Sequence, residues 1–416
     1  MALNPYWNLV RSNQNFRRLW IGSIASFLGD WFNTIALYTL VRQLTESELA
    51  LGVVFITKVL PFAIASPLAG LLTDRFNRRR LMIWTDLLRA AVVLGLLMVN
   101  HRDQLPLLYM LVAVQMMISA VFIPARSAAI PNITTNQELV TANTLSAATW
   151  SMLLAMGAAL GGLATAWLGI KVVFMLDSFS YLVSAWFIYR TVIPQSTDSP
   201  RSVTRHAFQD IVAGWRYMWH CPQIGRMAFA KATWLIGGGG LVYMLALVGE
   251  QLWSVTPAIG IGLLYAARGL GSGIGPILAR AWIPNEQRWP NMIGFGVILT
   301  GVVYIVIAQT PWNWWWVGAA VTLAHAPSGA NWVFSTVLLQ RRTEDRFRGR
   351  VFATEWLLLT IADTLAVLIA SLALQSGVID LRGGIALFAG IQIACGIGWI
   401  LLIVPGKSRH LNNQEV

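Results

Sequence analysis

Apolar runs of about 20 residues recur along the whole chain, and this recurrence limits the fold more than any other feature, because a membrane-crossing helix needs about that length. The pattern places runs at about 19 to 41, 51 to 72, 81 to 99, 107 to 125, 143 to 166 and 172 to 190, then about 228 to 249, 257 to 279, 291 to 309, 314 to 338, 352 to 374 and 384 to 404. Inside hydrocarbon every backbone polar group must be satisfied within the chain, so each run is read as a helix. The expected fold is an all-α membrane protein of twelve transmembrane helices in two pseudo-symmetric six-helix bundles, residues 1–190 and 227–416, joined by a cytoplasmic linker at 191–226. Only 12% of the residues are charged and 56% are hydrophobic, against about 25% charged in an ordinary soluble domain. No large soluble domain fits into what the spans leave over.

A formal net charge of +12 raises the question of nucleic acid, which would call for one basic patch. The basic residues are instead dealt out loop by loop. Arg75, Arg78, Arg79 and Arg80 follow the second run, while the next connection carries only Arg102; Arg341, Arg342, Arg346, Arg348 and Arg350 fill one later connection, and the one after it has Arg382. That alternation is the positive-inside pattern. It places both termini in the cytoplasm and makes the bilayer, not nucleic acid, the partner; a monomer is expected. Cys221 and Cys395 stand far apart, near no CxxC or histidine cluster, so neither a disulfide framework nor a metal site is expected. The first run lacks a small-residue cleavage site and reads as a retained signal anchor.

The linker has the composition of a loop in its first part, with Pro194, Ser196, Ser199 and Pro200. In its second part Phe208, Ile211, Val212, Trp215 and Trp219 repeat at helical spacing, which predicts an amphipathic helix lying in the interface or packed on the bundle ends. Trp312, Trp314, Trp315 and Trp316 cluster between spans nine and ten, where an aromatic belt belongs. The halves also echo each other. Gly70 to Arg75 closes span two before a basic loop and Gly275 to Arg280 closes span eight in the same way, 205 residues later; the connection Arg126 to Asn143 matches Ser335 to Phe352 in length at an offset of 209. Two offsets near half the chain predict a duplicated six-helix unit.

No sequence of the types HExxH or GxSxG occurs, so no enzymatic centre is expected. Gly406-Lys407-Ser408 ends like a phosphate-binding loop, but Leu401 stands where the leading glycine belongs. The glycines Gly269, Gly271, Gly273 and Gly275 lie inside an apolar run and fit no nucleotide-binding spacing; they predict close helix packing, with Gly271 and Gly275 on one face.

The loop after span two carries the positive signal: Gly70, Asp74 four residues on, then Arg75, Arg78 and Arg79. Here the chain resembles the major facilitator superfamily, whose signature joins the second and third helices in this way; Asn77 stands where that family often has glycine. The resemblance implies a charge-assisted lock of Asp74 with arginines at the cytoplasmic ends of the bundles, in which Arg126 and Glu355 are also placed. Topology alone is the plainer account of the loop. In span five, Gly157, Gly161 and Gly162 resemble the antiporter motif of that superfamily with Ala158 in place of proline, and they suit plain packing equally well. Leu28 to Phe32, Pro124 to Pro131, Glu138 to Asn143 and Arg348 to Phe352 are similar to the bacterial branch containing the enterobactin exporter and the macrolide-efflux proteins. This similarity implies proton-driven export by a secondary transporter in the bacterial plasma membrane, with a proton gradient in place of any cofactor, but substrates within the branch differ too widely to be carried over; the expected cargo, an amphipathic or aromatic small molecule, is a separate reading. A lipid or lysolipid flippase on the same fold, and a membrane scaffold or sensor that moves nothing, remain as alternatives.

Charges at membrane depth are costly and mark function by default. They are Asp30 in span one, Lys58 in span two, Lys231 in span seven, Arg268 in span eight and Asp363 in span eleven. Asp30 lies 11 residues past Leu19, hence about 16 Å deep, and Lys58 is within reach to pair with it. Glu355 is expected to meet the arginines after span two, Asp86 and Arg89 to complete the same network, and His325 to be a hydrogen-bonded packing residue.

If the lock operates, Asp74→Asn slows or blocks transport while the protein still inserts and folds, because the arginines lose their acceptor. Transport assays beside a membrane-insertion control decide it, and unchanged transport would leave topology as the loop's only role.

Overall fold

Hydrocarbon offers the backbone no hydrogen-bond partner, and in the computed structural model, which describes residues 4–194, 215–283 and 285–403, the chain answers with helices throughout and no strand among the described residues. They are α1 (Asn4–Ser12), α2 (Gln14–Leu44), α3 (Glu48–Arg75), α4 (Arg78–Gly95), α5 (Leu105–Ile133), α6 (Asn136–Leu168) and α7 (Ile170–Tyr189), then α8 (Pro222–Leu252), α9 (Pro257–Trp282), α10 (Trp289–Gln309), α11 (Trp314–Arg342), α12 (Asp345–Gln375) and α13 (Leu381–Gly398). From α2 onward they take up the twelve expected spans in order. Eleven are long and apolar enough to cross a membrane. The exception is α11, whose 29 residues suffice in length at 1.5 Å per residue but include His325, Pro327, Ser328 and Asn331 among its apolar positions. Polar side chains there face protein: His325, Asn331 and Ser335 are all buried.

Helix ends are written in the sequence. Asn13 accepts from Phe16 N at 3.0 Å, Asn77 from Arg80 N at 3.1 Å and Asn313 from Trp316 N at 2.9 Å, each satisfying an otherwise unpaired N–H. Thr135 and Glu138 form a capping box that starts α6. Pro222 and Pro257 begin their helices at the position where a missing N–H costs nothing. Gly169, at φ +82°, turns the chain between α6 and α7, a backbone conformation that side chains resist.

The chain divides into two compact units: Met1–Glu46 with Thr57–Ala207, and Ser47–Ile56 with Phe208–Val416. In this grouping the first turns of α3 go with the second unit. There Tyr243 Oη donates to the Glu48 carbonyl at 2.7 Å, Ser47 Oγ donates to Gln375 Oε1 at 2.7 Å, and Phe55 meets the Tyr243 ring edge-on at 5.5 Å. Within the first unit α2 packs on α6 and α7, and α4 on α5 and α7; within the second α8 packs on α12 and α13, and α10 on α11 and α13. Adding six to each label of the first set yields the second. The breaks before α6 and before α12, at Thr134–Thr135 and Thr343–Glu344, stand 209 residues apart. Of the amphipathic linker helix, residues 208–214 lie outside the described residues; in 215–220, Met218 is the buried side chain and Tyr217 stacks on Phe347 at 4.2 Å, whereas Trp219 is 75% exposed.

Glycines set the closest approaches. A Cβ on Gly271 would lie 3.0 Å from the Thr322 carbonyl carbon, and one on Gly275 would lie 2.7 Å from Ala326 Cα, so α9 and α11 touch backbone to backbone, as small residues permit in membranes. Gly275→Val is expected to lower the thermal unfolding midpoint in detergent by several degrees, in line with an overpacking cost of about 1–3 kcal/mol. Gly318→Ala, in open space on α11, is the matched control and should be neutral or mildly stabilising; equal losses in both variants would remove the packing argument.

Candidate functional site

In the first unit, five charged side chains that the helices carry below the surface come together around α2. Asp30 Oδ1 accepts the hydroxyl of Tyr181 from α7, and Tyr181 Oη accepts in turn from Gln115 Nε2 of α5 at 3.0 Å. One turn along α2, Asn33 Nδ2 donates to Asp177 Oδ2 of α7 at 2.6 Å, while Oδ1 of the same carboxylate, fully buried, has no hydrogen-bond partner among the described residues. Lys58 Nζ donates to Thr34 Oγ1 at 2.7 Å, and Thr34 Oγ1 donates to the Asp30 carbonyl at 2.7 Å. Lys58 is also within electrostatic reach of both Asp30 and Asp177. On α4, Asp86 and Arg89 form a buried ion pair, with the guanidinium 4.3 Å from the ring centres of Phe122 and Tyr181.

Three expectations change here. Asp30 and Lys58 join one cluster, yet they do not pair directly; Thr34 and Tyr181, neutral hydrogen-bonding groups, take the places a direct partner would hold. Asp86 and Arg89 belong to this cluster instead of a cytoplasmic network, because they pair with each other and the guanidinium packs on the Tyr181 ring. Asp177 was absent from the charges singled out in the spans, although an aspartate in the run Phe174 to Tyr181 carries the same signal that marked Asp30.

Glycines bring these helices together. A Cβ on Gly29 would lie 2.5 Å from Asp177 Oδ1, one on Gly157 would lie 2.9 Å from Trp31 Cβ, and one on Gly161 would lie 3.1 Å from Phe32 Cα. The span-five glycines, with Gly162 also buried, thus press α6 against α2 beside Asp30.

In the second unit Lys231 of α8 and Glu355 of α12 form an ion pair at 3.0 Å. The arginines after span two, which Glu355 is expected to meet, belong to the first unit; within its own unit the partner of Glu355 is Lys231. An open cavity of about 440 Å³ lies over the pair, walled by Trp332, Trp356 and Phe352. Arg268 of α9 lies 5.7 Å from the Tyr265 ring centre and within electrostatic reach of Asp363 of α12, with no ion pair between them. His325 bonds Tyr304 Oη at 2.9 Å and is fully buried, a packing role as expected.

Of the proposed gate, Gly70, Asp74 and Arg75 have side chains outside the described residues. Arg78 Nη1 donates to the Ala128 carbonyl at 2.9 Å and to Asn132 Oδ1 at 2.8 Å, Arg79 bonds the Tyr189 carbonyl, and Arg126 Nε donates to Ser23 Oγ at 2.7 Å. These arginines tie the ends of helices in the first unit to one another. No group of three or more His, Cys, Asp or Glu side chains suited to a metal ion occurs among the described residues.

The sequence profile of the Major Facilitator Superfamily matches residues 19–354. The chain belongs to the major facilitator superfamily. The MFS-type transporter YfiS of Bacillus subtilis is 25% identical, over 96% of this chain and 93% of its own, and a putative bacilysin exporter, BacE of Bacillus amyloliquefaciens, is 27% identical over 82% and 84%. Among solved structures, the peptide transporter POT in complex with sulfate shares the fold at a TM-score of 0.73 with 14% identity, covering 95% of each chain. The likeness to POT speaks to fold alone. Membership makes this a multi-pass membrane transporter of small molecules.

Within that protein Arg89→Gln strands the buried Asp86 carboxylate, a change that costs about 3–5 kcal/mol when a buried pair is broken. The double variant Asp86→Asn with Arg89→Gln is expected to unfold later than either single variant in a denaturant series in detergent. Simple additivity of the two losses would show that the pair is not coupled.

Proposed function

We propose that the chain is a proton-coupled exporter of an amphipathic or aromatic small molecule, working by alternating access in the bacterial plasma membrane with both termini in the cytoplasm. The observation that carries the coupling is the composition of the first unit's cluster. Asp30, Asp86 and Asp177 are three carboxylates against two cations, Lys58 and Arg89. Asp86, Arg89 and Asp177 are fully buried and Asp30 and Lys58 half-buried; uncompensated charge in such a place is expensive, so in this reading the one negative charge in excess is met by one proton. Asp86 is committed to Arg89. The proton then belongs to Asp30 and Asp177, which share Lys58, and a change in water access to that pair loads or releases it. Export as the direction draws on the similarity to a bacilysin exporter, and the cytoplasmic termini draw on the alternation of arginines between connections. Proton gradient, not cofactor or nucleotide, is the energy source in this reading.

Asp30→Asn keeps an acceptor for Tyr181 and fixes the neutral state. It is expected to abolish accumulation against a proton gradient in proteoliposomes while gradient-free exchange of substrate persists, since exchange does not need the proton to leave. Undiminished pumping by Asp30→Asn would make Asp30 structural and sink this assignment.

A further inference from the structure

The cavity over Lys231 and Glu355 is not used by the proton reading, and its chemistry is specific. Its volume, about 440 Å³, lies in the range of small-molecule sites, roughly 300–1,000 Å³. At its base the lysine is 5% exposed and the glutamate 2%, with the ammonium and carboxylate 3.0 Å apart. Lys231 lies nine residues past Pro222, about 14 Å along α8. Lys231 Nζ also stands 4.6 Å from the Trp332 ring centre, in cation–π range. Trp332 and Trp356 meet edge to face at 5.9 Å, with Phe352 completing an aromatic wall.

We propose that this cavity binds the transported molecule and that the molecule is an aromatic or bulky apolar zwitterion, its carboxylate on Lys231, its ammonium on Glu355 and its apolar group among Trp332, Trp356 and Phe352. The identity of the ligand as cargo rests on the transport reading above; its binding does not. Charge conservation selects the class. An anion that engages Lys231 leaves Glu355 buried without a counter-ion, and a cation that engages Glu355 does the same to Lys231; an uncompensated buried charge of that kind is strongly unfavourable. A zwitterion exchanges one ion pair for two and leaves the site neutral throughout. A neutral molecule conserves charge as well, but it forgoes both new pairs and keeps only the aromatic contacts.

The test is calorimetric titration of the purified full-length protein in detergent, with no gradient, using four probes that share one ring: L-phenylalanine, 3-phenylpropionate, phenethylamine and phenethyl alcohol. L-phenylalanine is expected to bind at least about tenfold more tightly than each of the others, given the cost of stranding either charge. Glu355→Gln should turn the preference to 3-phenylpropionate, Lys231→Gln should turn it to phenethylamine, and the exchanged pair, Lys231→Glu with Glu355→Lys, should restore L-phenylalanine. No preference for the zwitterion in the parent protein, no binding of any probe, or the same order kept in both single variants overturns the proposal. Because the parent's own order is decisive, misfolding of a variant does not shelter it. Binding order intact while Asp30→Asn still pumps would count against the coupling reading alone; coupled transport with the binding order absent would count against this site alone.

Discussion

Hydrocarbon provides no hydrogen bonds, and two consequences organise the molecule. Backbone groups must bond within their own segment, which makes every crossing a helix. Charged side chains must find partners within the protein or be neutralised, because nothing outside will solvate them. The first demand is met uniformly along the chain. The second is met in only a few places, and those places are where chemistry is available.

The two units meet it differently. In the first, Asp86 and Arg89 pair directly, but neutral groups stand between the other ions: Tyr181 and Gln115 reach Asp30, Asn33 reaches Asp177, and Thr34 carries Lys58. A carboxylate held by a hydroxyl or an amide retains the option of a proton, since those partners bond to either form. In the second unit Lys231 and Glu355 satisfy one another directly, which balances charge without a proton and leaves the pair open to exchange by another pair. The same fold therefore holds one cluster in which neutral hydrogen-bonding groups bridge ions and one direct ion pair beside an open cavity.

What the sequence disclosed follows from which forces are local. Span positions and the offset of 209 between halves depend on neighbours along the chain, and both are legible in it. The run at 314 to 338 reads in the sequence as one more apolar span, whereas its helix falls short in hydropathy and packing turns His325 and Asn331 inward. Partnerships across helices are another matter. Nothing near Lys231 in sequence points to Glu355, 124 positions later, and Thr34 was invisible as the seat of Lys58 because threonine is unremarkable in a helix. Asp177 differs: its signal was present in an apolar run and was overlooked. Its family membership, by contrast, was legible from Asp74, Arg75, Arg78 and Arg79 in one loop.

The glycines around α2 have a mechanical consequence. Gly29 leaves α7 no side chain to lean on, and Gly157 and Gly161 bring α6 onto the backbone of Trp31 and Phe32. A helix seated in this way would meet steric collision on two sides if it rolled about its axis, so α2, α6 and α7 form one closely packed block around Asp30 and Asp177. Side chains added at Gly29, Gly157 or Gly161 would meet α7 or α2 at once, so the surroundings of the two carboxylates can change more readily than the seat that holds them.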